Sequence, residues 1–135
     1  MEPTKHGENA STHLSRILLV ILYFVLSPMP VQAAAQSMED LIRAGQHLQA
    51  NEAAELEQHL KTTATDLESR TKLLGYYFKR SFSSAEAEAA RERHILWIIE
   101  NRPDAEIAGS AVSLVSPYSG GATYQKAQSL WVAKV

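Results

Sequence analysis

The chain of 135 residues contains no cysteine. That absence excludes disulfides, Cys-ligated zinc, iron–sulfur clusters, thiol catalysis and a lipid anchor on an N-terminal Cys. Charge of one sign is also scarce, since 13 Lys and Arg stand against 15 Asp and Glu for a net charge of −2. Without a basic excess, the chain has no electrostatic footprint of a nucleic-acid binder. Signatures of phosphate and nucleophile chemistry are missing too: no GKS or GKT accompanies Gly120-Gly121, and neither a Gly-x-Ser-x-Gly elbow nor an HExxH occurs. No catalytic residue, metal ligand set or cofactor is assigned, and the chain is expected not to be an enzyme. What is present is an ordinary globular balance, 45% hydrophobic and 21% charged, over a length that suits one domain.

Residues 1–35 read differently from the rest. A polar stretch ends at Arg16, the apolar run Ile17 to Leu26 comes next, and Ser27-Pro28-Met29-Pro30-Val31-Gln32-Ala33-Ala34-Ala35 closes the segment. Those zones have the layout of a secretory signal peptide. The run would span about 15 Å as a helix, half of a hydrocarbon core about 30 Å thick. Val31-Gln32-Ala33 and Ala33-Ala34-Ala35 both fit small-x-small cleavage, so a cut after Ala33 or Ala35 is expected. An uncleaved anchor is the alternative, because Leu14 to Val31 is mostly apolar. Glu2 and Glu8 beside Lys5 and Arg16 also leave the leading stretch without a clear positive charge. The sequon Asn9-Ala10-Ser11 lies upstream of the expected cut.

Helix signals dominate the remaining hundred or so residues of the chain. Ser37 is placed to cap a helix from Met38 to about Ala50, with Glu39 and Asp40 opposing the positive end of its dipole. Asn51 is expected to cap a second helix to about Thr62, with Ala53, Leu56 and Leu60 on its apolar face. So short a joint predicts a helical hairpin. Capping boxes at Thr65-Asp66-Leu67-Glu68 and Ser83-Ser84-Ala85-Glu86 open a third helix to about Arg80 and a fourth to Asn101, where Pro103 stops it. Ile95-Leu96-Trp97-Ile98-Ile99 marks the fourth as the expected core element. One helical turn at 104–109, a loop over 110–122 and a last helix from Tyr124, capped by Thr123, complete the chain. No window alternates long enough to require a strand.

Two stretches repeat. Leu56 to Leu60 leads to Asp66, and Ile95 to Ile99 leads to Asp104, in each case an apolar helix end followed by an aspartate turn and a new helix. With Leu74-Gly75-x-x-Phe78, Ala87 or Ala90, and Pro103-Asp104, the pattern resembles the tetratricopeptide repeat (TPR) over residues 38–106. Thr71 stands where that family has Trp, and Thr65 where it has Pro. The resemblance implies an all-α fold of short antiparallel helical hairpins, stacked TPR-like over 36–109. A C-terminal helix over 123–135 would cap it by burying Tyr124, Ala127, Leu130 and Trp131. The whole is also similar to small exported helical proteins of bacteria, from which no functional residue carries over.

Candidate chemistry is sparse. Glu55 and His59 share a helical face at a metal-chelating spacing, but two ligands do not make a site. His94, beside Ile95 and Ile98, is expected to be a hydrogen-bonded core histidine. Tyr76, Tyr77 and Phe78 followed by Lys79 and Arg80 form an aromatic-basic cluster that covers too much of a helix to face one core, and Tyr76 is expected to be exposed. Arg91, Arg93 and Arg102 with Glu88 and Glu92 describe a solvated face. The candidate binding residues are therefore Tyr76, Lys79, Arg80 and Arg91. They suit an exported, periplasmic or secreted interaction domain that takes a protein or peptide partner in the cell envelope, with no nucleic acid and no membrane span after cleavage. The alternative is a small-molecule or carbohydrate binder, or an enzyme, using Tyr76, His94 and Arg91 in a pocket between helices.

Overall fold

A computed structural model describes residues 36–118 and 121–134. The expected leader and its cleavage sites lie outside these residues. Among the described residues there are five α-helices, two short 3₁₀ turns and no strand. The helices are α1 (Met38–His47), α2 (Ala50–Thr62), α3 (Leu67–Arg80), α4 (Ala85–Asn101) and α5 (Gly121–Val132). The turns, Glu106–Gly109 and Ala111–Ser113, fall between α4 and α5. The fold is thus all-α, as the helix signals predicted. No helix among the described residues is long and apolar enough to cross a membrane.

Local chemistry sets the helix ends. Ser37 caps α1 as expected, its hydroxyl accepting from the Asp40 amide at 3.2 Å. The other caps fall one to three residues from the predicted ones. Gln49, not Asn51, precedes α2, and its amide donates to the Glu52 carboxylate at 2.6 Å. Asp66 rather than Thr65 caps α3, accepting from the amide and the hydroxyl of Ser69 at 3.2 and 2.7 Å. Ser84 rather than Ser83 caps α4. The last two pairs offer similar capping chemistry side by side, so tertiary packing makes the choice. Helix α5 begins at Gly121, two residues before the expected Thr123 cap, and the Thr123 hydroxyl instead reaches across to Glu92 of α4 at 2.8 Å.

The central element is α3. It packs against α1, α2, α4 and the second 3₁₀ turn. Its neighbouring residues Leu73 and Leu74 are both fully buried and belong to different cores. Leu74 joins Ile95, Ile98 and Ile99 of α4 with Ile107, Val112 and Ala127. Leu73 and Tyr76 meet Ala53 and Leu60 of α2. The apolar half of α4 is in the core as expected, but α3 holds more of the fold together. Periodicity does not reveal this role, because much of what α3 buries is polar or small: Ser69, Arg70, Thr71 and Gly75.

Helices α3 and α4 form a hairpin across the short link at residues 81–84. The first pair differs from expectation in one respect, since α1 and α2 each rest chiefly on α3 rather than on each other. The cause lies at the joint. Leu48 (φ −58°, ψ 141°) and Gln49 (φ −79°, ψ 163°) are both extended, which carries the chain away from α1 before α2 starts. Two glycines let α1 meet α3 backbone to backbone: a Cβ on Gly45 would overlap the Lys72 carbonyl, and one on Gly75 the Ile42 carbonyl. Gly75, part of the repeat-like Leu74-Gly75-x-x-Phe78 pattern, thus permits a close helix approach with α1 as the partner.

Candidate functional site

Two regions outside the apolar cores carry distinctive chemistry. The first is a polar seam between α2, α3 and α4. Arg70 of α3, only 7% exposed, donates from Nε and Nη2 to the Ala64 carbonyl at 3.2 and 2.8 Å, and from Nη1 to His94 Nδ1 at 3.2 Å. A guanidinium can only donate, so Nδ1 is the acceptor in this bond and Nε2 carries the ring's donor N–H. That Nε2–H donates to Glu57 Oε1 of α2 at 3.0 Å. The Tyr77 hydroxyl donates to the same oxygen at 2.9 Å, and the Tyr77 ring stacks on the imidazole at 5.9 Å. Trp97 completes the seam, with the Arg70 guanidinium 3.7 Å over its ring.

The electrostatics are set by this wiring. The bond from His94 holds the Glu57 carboxyl at about 2, against burial, which pulls it upward. Burial pushes the Tyr77 phenol up, and its bond to Glu57 adds to the rise. Burial also lowers Arg70, while Glu57 and Asp66 work in the other direction. At the edge of the seam, burial would raise Asp66, but hydrogen bonds from Ser69 and then His59 outweigh it. Both nitrogens of His94 are engaged, so the histidine ties α2, α3 and α4 together. It is the hydrogen-bonded core residue that its apolar neighbours predicted, 4% exposed.

The second region lies at the end built by α5 and the segment before it. Here Arg91 of α4 turns inward, donating from Nε to the Val112 carbonyl at 2.9 Å and from Nη2 to the Leu114 carbonyl at 2.6 Å. Its guanidinium lies 5.3 Å from the Phe78 ring centroid. Burial lowers its pKa. Thus anchored, the 111–115 segment separates two grooves that both include Leu114 and Val115. One, about 720 Å³, is lined by Phe78, Phe82, Arg91 and Pro117, among others. The other, about 310 Å³, is lined by Ile99, Tyr124, Ala127, Trp131 and Val132, among others.

The four candidate binding residues do not converge. Tyr76 is buried, not exposed, because it points into the Ala53–Leu60–Leu73 cluster while Arg80 covers its ring at 3.7 Å. Arg80 itself donates to the carbonyls of Tyr76 and Leu48 at 2.9 and 3.4 Å. Lys79 is exposed, and Arg91 is a buried anchor rather than part of a solvated face. Tyr76, His94 and Arg91, the trio of the alternative reading, likewise sit in three different environments. His59 pairs with Asp66 at 3.0 Å instead of joining Glu55 in a chelate. Among the described residues, no group of three or more His, Cys, Asp or Glu is placed to hold a metal.

Sequence reasoning missed Glu57, Arg70 and Trp97 as one unit. A signal was there. Glu57 stands at helical spacing between Ala53 and Leu60, and Arg70 between Leu67 and Leu74, so each puts a charge into an apolar stripe. Comparisons of the chain with protein-family models, with curated proteins and with solved structures find no match.

Proposed function

We propose that this protein is an exported, non-enzymatic, TPR-like helical domain of the cell envelope that binds a protein or peptide partner through its α5 end. One observation carries the reading. The large hydrophobic side chains left exposed among the described residues are Phe82, Leu114, Tyr118, Tyr124, Trp131 and Val132. All but Tyr118 line the two grooves that meet at Leu114, and Tyr118 is next to Pro117 of the larger one. Phe82 is 80% exposed and Tyr118 97%. Scattered single apolar residues are normal on a surface, but a collected set marks a contact site. Aromatic residues in an apolar groove are the anchors such interfaces use.

The test compares the full chain with its Phe82→Ser and Trp131→Ser variants as baits in envelope extract. A partner retained by the unaltered chain and lost from both variants supports the reading. Identical captures by all three overturn it. End-group analysis of protein recovered from the envelope checks the exported part: a chain starting at Ala34 or Gln36 is expected, and one still starting at Met1 contradicts cleavage.

A further inference from the structure

The seam between α2, α3 and α4 opens outward as a crevice of about 280 Å³, lined by Glu57, Leu60, Lys61, Arg70, Arg93, His94 and Trp97. Its charges do not balance. Lys61, Arg70 and Arg93 stand with a single carboxylate, Glu57, in the lining. Glu57 is already occupied, since its Oε1 accepts from both His94 and Tyr77. Arg93 approaches that oxygen only to 4.0 Å.

Arg70, the buried one of the three cations, feels Glu57 and Asp66 but bonds directly to neither. Its hydrogen bonds go to a carbonyl and an imidazole nitrogen, and its third neighbour is the Trp97 ring, so none of these contacts is a carboxylate. A guanidinium has five N–H groups, and those bonds engage three of them. A buried cation with no carboxylate in direct contact can still give a charge-assisted bond to an added oxyanion. Such an oxyanion fits the crevice, where the buried Arg70 lies beside Lys61 and Arg93, both solvent-exposed. Leu60 and Trp97 add an apolar wall suited to a small organic body.

We propose that this crevice is a binding site for a small organic oxyanion, a carboxylate or a phosphate monoester. Arg70, Lys61 and Arg93 receive the charged group, and Leu60 and Trp97 receive the apolar part. Guanidinium N–H groups suit the planar or tetrahedral oxygens of such groups, and the charge-assisted bonds are strong in a half-dry cleft. The site shares no lining residue with the grooves at the α5 end, so it stands or falls separately from the partner surface.

The protein carries its own reporter, because its two tryptophans are Trp97 in the crevice and Trp131 outside it. In the full-length chain with Trp131→Phe, fluorescence is titrated at constant ionic strength with phenyl phosphate, benzoate and inorganic phosphate. Saturable change with phenyl phosphate or benzoate is expected, and the tighter of the two identifies the oxyanion. Lys61→Ala and Arg93→Ala alter exposed side chains, so they should keep the fold and weaken binding about tenfold each. Glu57→Gln removes the one carboxylate that lines the crevice and should tighten it. That sign cannot come from structural damage. No saturation up to about 10 mM, beyond the weak-binding range, or an equal response from the Lys61→Ala/Arg93→Ala double variant, overturns the proposal.

Discussion

The seam between α1 and α3 and the seam between α4 and α5 are built on opposite terms. In the first, glycines at 45 and 75 bring two helix backbones into contact, with Met38 and Ile42 of α1 packed on the core alongside. In the second, large side chains are available, yet Ala127 is the only residue of α5 that is buried. Tyr124, Trp131 and Val132 remain at the surface. Bulk therefore does not predict which seam holds. Close approach multiplies weak contacts along the first, while the second leaves aromatic area free for another molecule.

The largest expected effect breaks the tight seam. Gly75→Ala would put a methyl into the Ile42 carbonyl, and Gly45→Ala would put one into the Lys72 carbonyl. Neither obstacle is the end of a flexible side chain, so the helices must separate. Each change should cost about 3 kcal/mol in denaturant unfolding, at the upper end of overpacking penalties. Helix propensity alone predicts the opposite sign, a gain of about 1 kcal/mol. Gly109→Ala is the control, with open space around it and little change expected. A Gly75→Ala chain as stable as the original would show that α1 is not locked on α3.

An intermediate effect belongs to the polar seam. The Glu57 carboxyl drops from the usual 4.5 to about 2 on folding, so the unfolded chain binds its proton more readily. Its stabilisation is complete above about pH 4.5 and disappears as the pH falls toward 2. Discounted for the solvent that reaches this half-buried group, the contribution is about 1–2 kcal/mol. Urea midpoints across this range should fall with acid in the parent, and the fall should be smaller in Glu57→Gln. Parallel curves would mean that the carboxylate is not held by His94.

These contrasts also show what was legible in the amino acids. Helix number and order, the apolar half of α4 and the core position of His94 can be read from spacing and capping residues. The role of α3 cannot, because Ser69, Thr71 and Gly75 carry no hydrophobic signal, and Gly75 matters only once α1 is placed against it. Tyr76 and Trp131 depart from expectation in opposite directions for one reason. Periodicity ranks aromatics as buried or free along a single helix, whereas Arg80 from the next turn covers Tyr76 and no neighbour covers Trp131 fully. The Arg70–His94–Glu57 seam joins residues 24 and 37 positions apart, so only its stripe-breaking charges were visible beforehand.

The smallest stability effect sharpens the contrast at its open side. A buried C-terminal cap would make Trp131→Ala cost about 3–5 kcal/mol, the range for enclosed aromatics. The indole is 38% exposed and lines a groove, so what it removes from water is partial and leaves no sealed cavity. The expected cost is about 1–2 kcal/mol. Ile98→Ala supplies the ruler within the same molecule: its side chain is 1% exposed in the core under α5, and its loss should cost about 2–5 kcal/mol. Acrylamide should quench Trp131 readily when Trp97 is replaced by Phe. If the two alanine variants prove equally unstable, α5 is a structural lid and the grooves beside it lose their claim to a partner. If Trp131→Ala unfolds near the parent midpoint, the indole contributes little to the fold, as an aromatic held for contact with another molecule should.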